Sequence, residues 1–277
     1  MRRLVCALIP ALMLLLIGEF ASFAAVKPKS RPAGTLVPFV RFWRGFRLPG
    51  LDFPAFRNKL VKEFIPATLK TPGRYGLSAY MVAVPLPSGK IALPDEVALV
   101  IYRDENAYNR MNETPEGRAY QKSHWGLFSR EISLSLVPRP FNMSSRIPTE
   151  RGAAFDVLGI PVDWNSGQTF FFFGLRKPSL TPENFFRKLK THVACVKSSF
   201  ASQGLKGYLV LITGEYEIAF LNWESGSAMQ KAMSTPKGKA LLENAKSIQI
   251  NHMWAPVKRY DGWLEPGDCS DVRFLRR

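Results

Sequence analysis

Thr235-Pro236-Lys237-Gly238-Lys239-Ala240 has a second copy, Thr114-Pro115-Glu116-Gly117-Arg118-Ala119, 121 residues earlier. The context repeats with it. Each copy follows an apolar strand pattern, an aromatic residue (Tyr102, Trp223) and a helix-capping residue (Asp104, Ser225), and lies within the helical segment that comes next. Such agreement exceeds a chance hexapeptide, so the chain reads as a tandem repeat. Within the motif, Thr suits a cap and Pro the first helical position, so each copy breaks and restarts a helix.

Outward from the motif, the first repeat reads as a strand at 37–46, a helix at 54–70 with Asp52 near its cap and Pro66 set to end or kink it, and strands at 77–85 and 97–102. The motif-bearing helix and a strand at 131–137 complete it. The second repeats the order: strand 169–175, helix 182–202 capped by Thr181, strands 207–213 and 217–223, the broken helix 227–246 and strand 249–255. The expected fold class is α+β, two tandem ferredoxin-like βαββαβ units. In that arrangement both helices cover one face of the sheet, and a face left in water should alternate apolar with polar residues. Phe170 to Phe173, Tyr208 to Ile212 and Val97 to Tyr102 do not alternate. The second face must be covered, and the simplest cover is the sheet of the other unit.

The expected organisation is a secretory leader at 1–24, a basic flexible segment at 25–35, the first unit at 36–137, a linker at 138–168 with a short strand hidden near 154–160, the second unit at 169–256, and a tail at 257–277. Arg2-Arg3, the apolar run Leu4 to Ile17 and Ser22-Phe23-Ala24 carry the leader reading, which implies a periplasmic or secreted protein. The net charge of +16 points to an anionic envelope surface before it points to nucleic acid, since no basic run has polybasic length; scattered solubilising charge is the alternative. Beyond the leader, Cys195 and Cys269 can pair in an oxidising compartment or stand as separate thiols. No Cys/His spacing suits a metal, and there is no GxSxG, P-loop, GxGxxG or HExxH.

Candidate site residues are few. His252 shares a predicted strand face with Ile248, Ile250 and Trp254, which suits a general base or a haem ligand, although a hydrogen-bonded core or rim histidine is the simpler reading. His124 is placed for capping a helix end, and His192 is expected to be exposed. No histidine recurs at one place in both repeats, which gives no support to duplicated catalysis. Arg41 and Arg44, among Phe39, Phe42 and Trp43, can bind an anionic or aromatic ligand, or protect an edge strand. Tyr80, Tyr102, Tyr208, Trp223 and Trp254 can line a pocket or fill a core. Asp95-Glu96 reads as part of a turn.

The segment Leu221-Asn222-Trp223-Glu224-Ser225, with Ala228 and Met233 through Leu242, resembles the dimeric α/β-barrel superfamily, in particular EthD-type and antibiotic-monooxygenase-type domains. The resemblance spans about 36–137 and 169–256 and implies a fused pair, an intrachain pseudo-dimeric barrel that is monomeric, with the ligand pocket between sheet and helices. Members include cofactor-free monooxygenases, isomerases and haem-handling enzymes, so the fold does not select a function. The favoured expectation is an exported protein that binds a small apolar or aromatic ligand or a partner, without catalysis or cofactor. A cofactor-free monooxygenase or isomerase using His252, and a basic envelope-associated or adhesion protein, stay open.

Overall fold

Threonine at the motif does two jobs. Thr114 stands in extended backbone between α3 (Glu105–Glu113) and α4 (Pro115–Ser123), as the residue before a proline must. Its hydroxyl donates to the Met111 carbonyl (2.8 Å) and accepts from Gly117 N (3.0 Å), closing one helix and opening the next. Thr235 repeats this between α6 (Gly226–Ser234) and α7 (Pro236–Ile248), with 2.7 Å to Ala232 O and 3.0 Å from Gly238 N.

The computed structural model describes residues 37–85, 93–147, 151–257, 259–260 and 270–272, without the side chains of 251–253, 259–260 and 270–272. The two leader segments and Cys269, and with it the Cys195–Cys269 pairing, lie outside the described residues. In the first half the order is β1 (Phe39–Gly45), α1 (Phe53–Lys59), a π-helical turn (Leu60–Phe64), α2 (Ile65–Arg74), β2 (Leu77–Pro85), β3 (Glu96–Tyr102), α3, α4 and β4 (Leu134–Leu136). Pro66 does not end the helix as expected. The π-helical turn lets Ile65 N–H reach Leu60 O, five residues back, so the widened turn admits the proline and the helix continues to Arg74. Asp52 and Asp104 cap α1 and α3, each accepting a backbone N–H at 2.7 Å.

The connector supplies β5 (Arg139–Pro140) and β6 (Ala153–Asp156), and the second half comes next as β7 (Gln168–Arg176), α5 (Pro182–Phe200), β8 (Leu205–Ile212), β9 (Tyr216–Trp223), α6, α7 and β10 (Gln249–Val257). The tail adds β11 (Arg259–Tyr260) and β12 (Ser270–Val272). The strand orders are β11-β2-β3-β1-β4, with β12 also on β2, and β10-β7-β9-β8-β6-β5. Stripped of the added strands, both halves show the fourth-first-third-second order of a ferredoxin-like unit.

The two sheets share one core. Phe42 meets Phe220 edge to face at 5.5 Å, and Phe171 packs on the same ring at 5.5 Å. Met81, Leu99, Leu209, Leu211 and Ile218 complete this layer, which accounts for strands apolar on both faces. The other face of each sheet lies under its own helices. The sheets are also joined at their edges. β10 of the second sheet runs on towards β11, paired with β2 of the first, while β4 of the first is succeeded by β5, which pairs with β6 of the second. The segment that follows each half's last strand thus adds a strand to the far side of the other half's sheet, covering the β2 edge of the first and, through β6, extending the second.

β1 is an inner strand between β3 and β4, so Arg41 and Arg44 do not guard an edge. Nor do they share a face. Three residues apart on a strand, they point to opposite sides. Trp164 of the connector and Val257 enter the inter-sheet core, so the connector and the end of β10 are part of the barrel.

Candidate functional site

A cavity of about 270 Å³ lies between the first sheet and its helices. Its floor carries Glu96, fully buried at the start of β3. Tyr80 Oη donates to Glu96 Oε1 at 2.9 Å and Trp43 Nε1 donates to Oε2 at 3.0 Å. Burial removes water from this carboxylate and pushes its pKa from the ordinary 4.5 up to about 7; the two hydrogen bonds pull the other way and are outweighed. Tyr102, Tyr108, Tyr120 and Trp125 line the walls, and Arg41 is the wall cation. Its Nε donates to Ser135 Oγ (2.9 Å) and its guanidinium lies 4.9 Å from the Tyr108 ring centre. His124 also lines this cavity, with Nδ1 3.2 Å from the Tyr120 carbonyl, the helix-end contact expected of it. Phe64, Tyr120 and Trp43 surround its ring, and burial lowers its pKa to about 4, so it is neutral at pH 7.

The second half repeats the floor. Glu217 stands 121 residues after Glu96, Tyr208 stands 128 after Tyr80, and Tyr208 Oη donates to Glu217 Oε1 at 3.1 Å. The second donor differs in kind but not in place. Gln249 Nε2, from β10, reaches Glu217 Oε2 at 2.6 Å where the first half uses Trp43. Both donors need a missing side chain beside them. A Cβ at Gly45 would come within 2.6 Å of Trp43 Nε1, and one at Gly174, the same position 129 residues on, within 2.6 Å of the Gln249 amide. Burial raises the pKa of Glu217 as well. Its cavity, about 320 Å³, is lined by Phe172, Trp254 and side chains of α5, α6 and α7.

Of the residues singled out from sequence, Arg41, Tyr80 and Tyr102 lie on the first cavity, and Tyr208 and Trp254 on the second, Trp254 stacked on Phe170 at 5.5 Å. Arg44 is elsewhere: it lies between the sheets, with Nη1 2.7 Å from Tyr216 Oη. Trp223 is fully buried against Phe200 and its Nε1 has no hydrogen-bond partner. The shared face proposed for Ile250, His252 and Trp254 is broken by a bulge between Ile250 and Met253, which turns Ile250 to the inter-sheet core and Trp254 to the helices. The His252 side chain lies outside the described residues. His192 is buried rather than exposed, because α5 places it on the inward stripe of Leu189, Val193 and Val196. Asp95-Glu96 is no simple turn: Asp95 accepts from Arg47 N (2.8 Å) and pairs with its guanidinium, while Glu96 opens a buried strand. The sequence reads Glu96 as part of a turn and does not single out Glu217, although a glutamate recurring at the motif's own spacing is the signal for them. Among the described residues no trio of His, Cys, Asp and Glu is grouped to hold a metal.

No protein-family model matches this chain, and no curated protein does. Solved structures similar to it include a candidate monooxygenase from Fusobacterium nucleatum (12% identity, TM-score 0.42, covering 82% of this chain and 95% of that one). A ferredoxin-fold protein related to antibiotic biosynthesis monooxygenases from Listeria monocytogenes is 8% identical (TM-score 0.35, 79% and 94%). A monooxygenase-like protein from Listeria innocua is 9% identical (TM-score 0.34, 80% and 95%). Likeness at this level assigns no activity, and the fold stands on the strand orders and shared core of the chain itself. Two ferredoxin-like units packed sheet against sheet, with the segments after β4 and β10 each adding strands to the other half's sheet, make up the fold of the described residues.

Proposed function

We propose that the first half binds a small aromatic molecule bearing an acidic C–H or O–H and that Glu96 moves its proton. The observation that carries this reading is a carboxylate buried on the floor of an aromatic cavity, held by Tyr80 and Trp43 and titrating near neutrality. A group with that pKa is present in both forms at pH 7, so it can take a proton from one atom and return it to another. Arg41, on the same wall, supplies positive charge for the anion that forms between the two transfers. His124 is neutral and engaged with a carbonyl, and serves as an aromatic wall. An isomerase returns the proton elsewhere on the substrate, and a cofactor-free oxygenase lets the electron-rich anion meet oxygen. Both begin with the step assigned to Glu96.

The test is proton exchange at the acidic carbon of 2-tetralone, a small aryl ketone, monitored by NMR in deuterated water. The protein should accelerate exchange saturably, Glu96→Gln should abolish the acceleration, and Glu217→Gln should keep it. No acceleration, or equal acceleration by Glu96→Gln, would sink the reading.

The amino-terminal residues support a proposal of export. Amino-terminal sequencing of the mature chain should begin after Ala24; an intact Met1 would refute it.

A further inference from the structure

The first cavity carries a charged or chargeable group at each end. On β1, Arg41, Trp43 and Gly45 alternate with Phe42 and Arg44, so the first three face the helices. Gly45 lies opposite Glu96 in the strand register and Arg41 opposite Val100, which sets Arg41 four residues along the sheet from Glu96, roughly 13 Å at the backbone. Both side chains line the same cavity. Trp43 and Ala98, paired across the sheet midway, lie between them.

Arg41 is held in place but not neutralised. Its Nε is used on Ser135 Oγ and its guanidinium rests beside the Tyr108 ring, and both of these partners also line the cavity. Among the described residues no carboxylate pairs with Arg41, and its two terminal nitrogens meet no acceptor. The fold does not require a cation at this position. Its counterpart in the second half, 129 residues on, is Phe170, stacked on Trp254. The free edge of a guanidinium presents two parallel N–H groups in one plane, which match the two oxygens of a carboxylate. The reverse orientation is unfavourable, because a carboxylate placed at the floor would meet the buried carboxyl of Glu96 and no cation.

We infer that the first cavity takes an aryl carboxylate, with the carboxylate on Arg41 and the acidic hydrogen at the opposite end of the ring system, towards Glu96. This rests on the proton-transfer reading and names the substrate class for it. When ionised Glu96 takes the proton, the C–H bond breaks, an O–H bond forms on Glu96, and the electron pair left on carbon spreads through the ring towards the carboxylate. The contact with Arg41 therefore strengthens as the charge arrives, which is where a fixed cation lowers a barrier.

The probes are 2-naphthoate and 2-naphthamide, which share one ring system and differ in charge; each is titrated into the full chain by fluorescence at a pH below the Glu96 pKa. Naphthoate should bind at least tenfold more tightly than the amide, and Arg41→Met should reduce that preference to less than threefold. Ala98→Leu, which narrows the first cavity, should remove naphthoate binding, and Met233→Trp, which fills the second from a half-buried position, should leave it. Equal binding of the two probes by the unmodified protein would overturn the inference without recourse to any variant. So would a preference that survives Arg41→Met, or naphthoate binding lost in Met233→Trp but kept in Ala98→Leu. Neither probe carries an acidic C–H, so the outcome separates from that of the 2-tetralone exchange. Exchange without a naphthoate preference sinks the carboxylate assignment alone, and a naphthoate preference without exchange sinks the proton transfer.

Discussion

Arg44 and Tyr216, 172 positions apart, meet between the two sheets with Nη1 2.7 Å from the phenol oxygen. Among the described residues no carboxylate pairs with this buried guanidinium, and its Nε has no partner. Burial raises the Tyr216 pKa and the neighbouring cation pulls it back.

An unneutralised buried charge costs desolvation that one hydrogen bond does not offset. Arg44→Met should therefore leave stability unchanged or raise it by ~1–3 kcal/mol, measured by urea unfolding. A loss of more than about 2 kcal/mol would show that the guanidinium is stabilising where it stands.

Glu96 predicts a pH dependence whose sign comes from burial. Its folded pKa, about 7, lies above the ordinary 4.5, so between these values the folded protein holds a proton that the unfolded chain has released. The stability it contributes is complete below 4.5 and is lost as pH rises through 7. Glu96→Gln cannot titrate. The stability of this variant relative to the unmodified protein should climb between pH 4.5 and 8 by on the order of 3 kcal/mol, the linkage equivalent of the shift. A difference that stays flat across that range would show that Glu96 is not held neutral.

Trp43→Phe removes one of the two donors to Glu96, and that hydrogen bond favours the charged form. The Glu96 titration, monitored by carboxyl 13C NMR, should move further upward. No movement, or a fall, would contradict the assigned contact.

Gly117 and Gly238 occupy the fourth position of the repeated motif, where a Cβ would collide with the carbonyls of Met111 and Ala232 in the preceding helix. Alanine there, normally the better helix former, should destabilise by ~2 kcal/mol or more at either site. The cap itself is worth less: Thr235→Ala should cost about 1 kcal/mol in thermal or urea unfolding. If alanine at the glycines proves neutral, the close crossing of the paired helices is wrong.

Much of this architecture is local and therefore legible along the chain. The repeat, its four-strand order and the caps at Asp52, Asp104, Thr181 and Ser225 depend on neighbours three or four positions away, and the structure has all of them. Doubly apolar strands announced a covered second face without naming the residues that meet there. Pro66 and the β10 bulge show the limit. A one-residue change of turn width or register is invisible to a periodic reading, and each one redirects the side chains beyond it.

By itself, the sequence determined that two equivalent halves exist and that their sheets must be buried, because hydrophobic period and capping chemistry act over short range. Only the tertiary structure decided which polar groups became a site. Glu96 and Tyr80 are 16 residues apart, and Glu217 and Gln249 are 32 apart. A buried carboxylate's chemistry is set by what surrounds it in space, and those partners come from strands and helices that sequence distance does not relate.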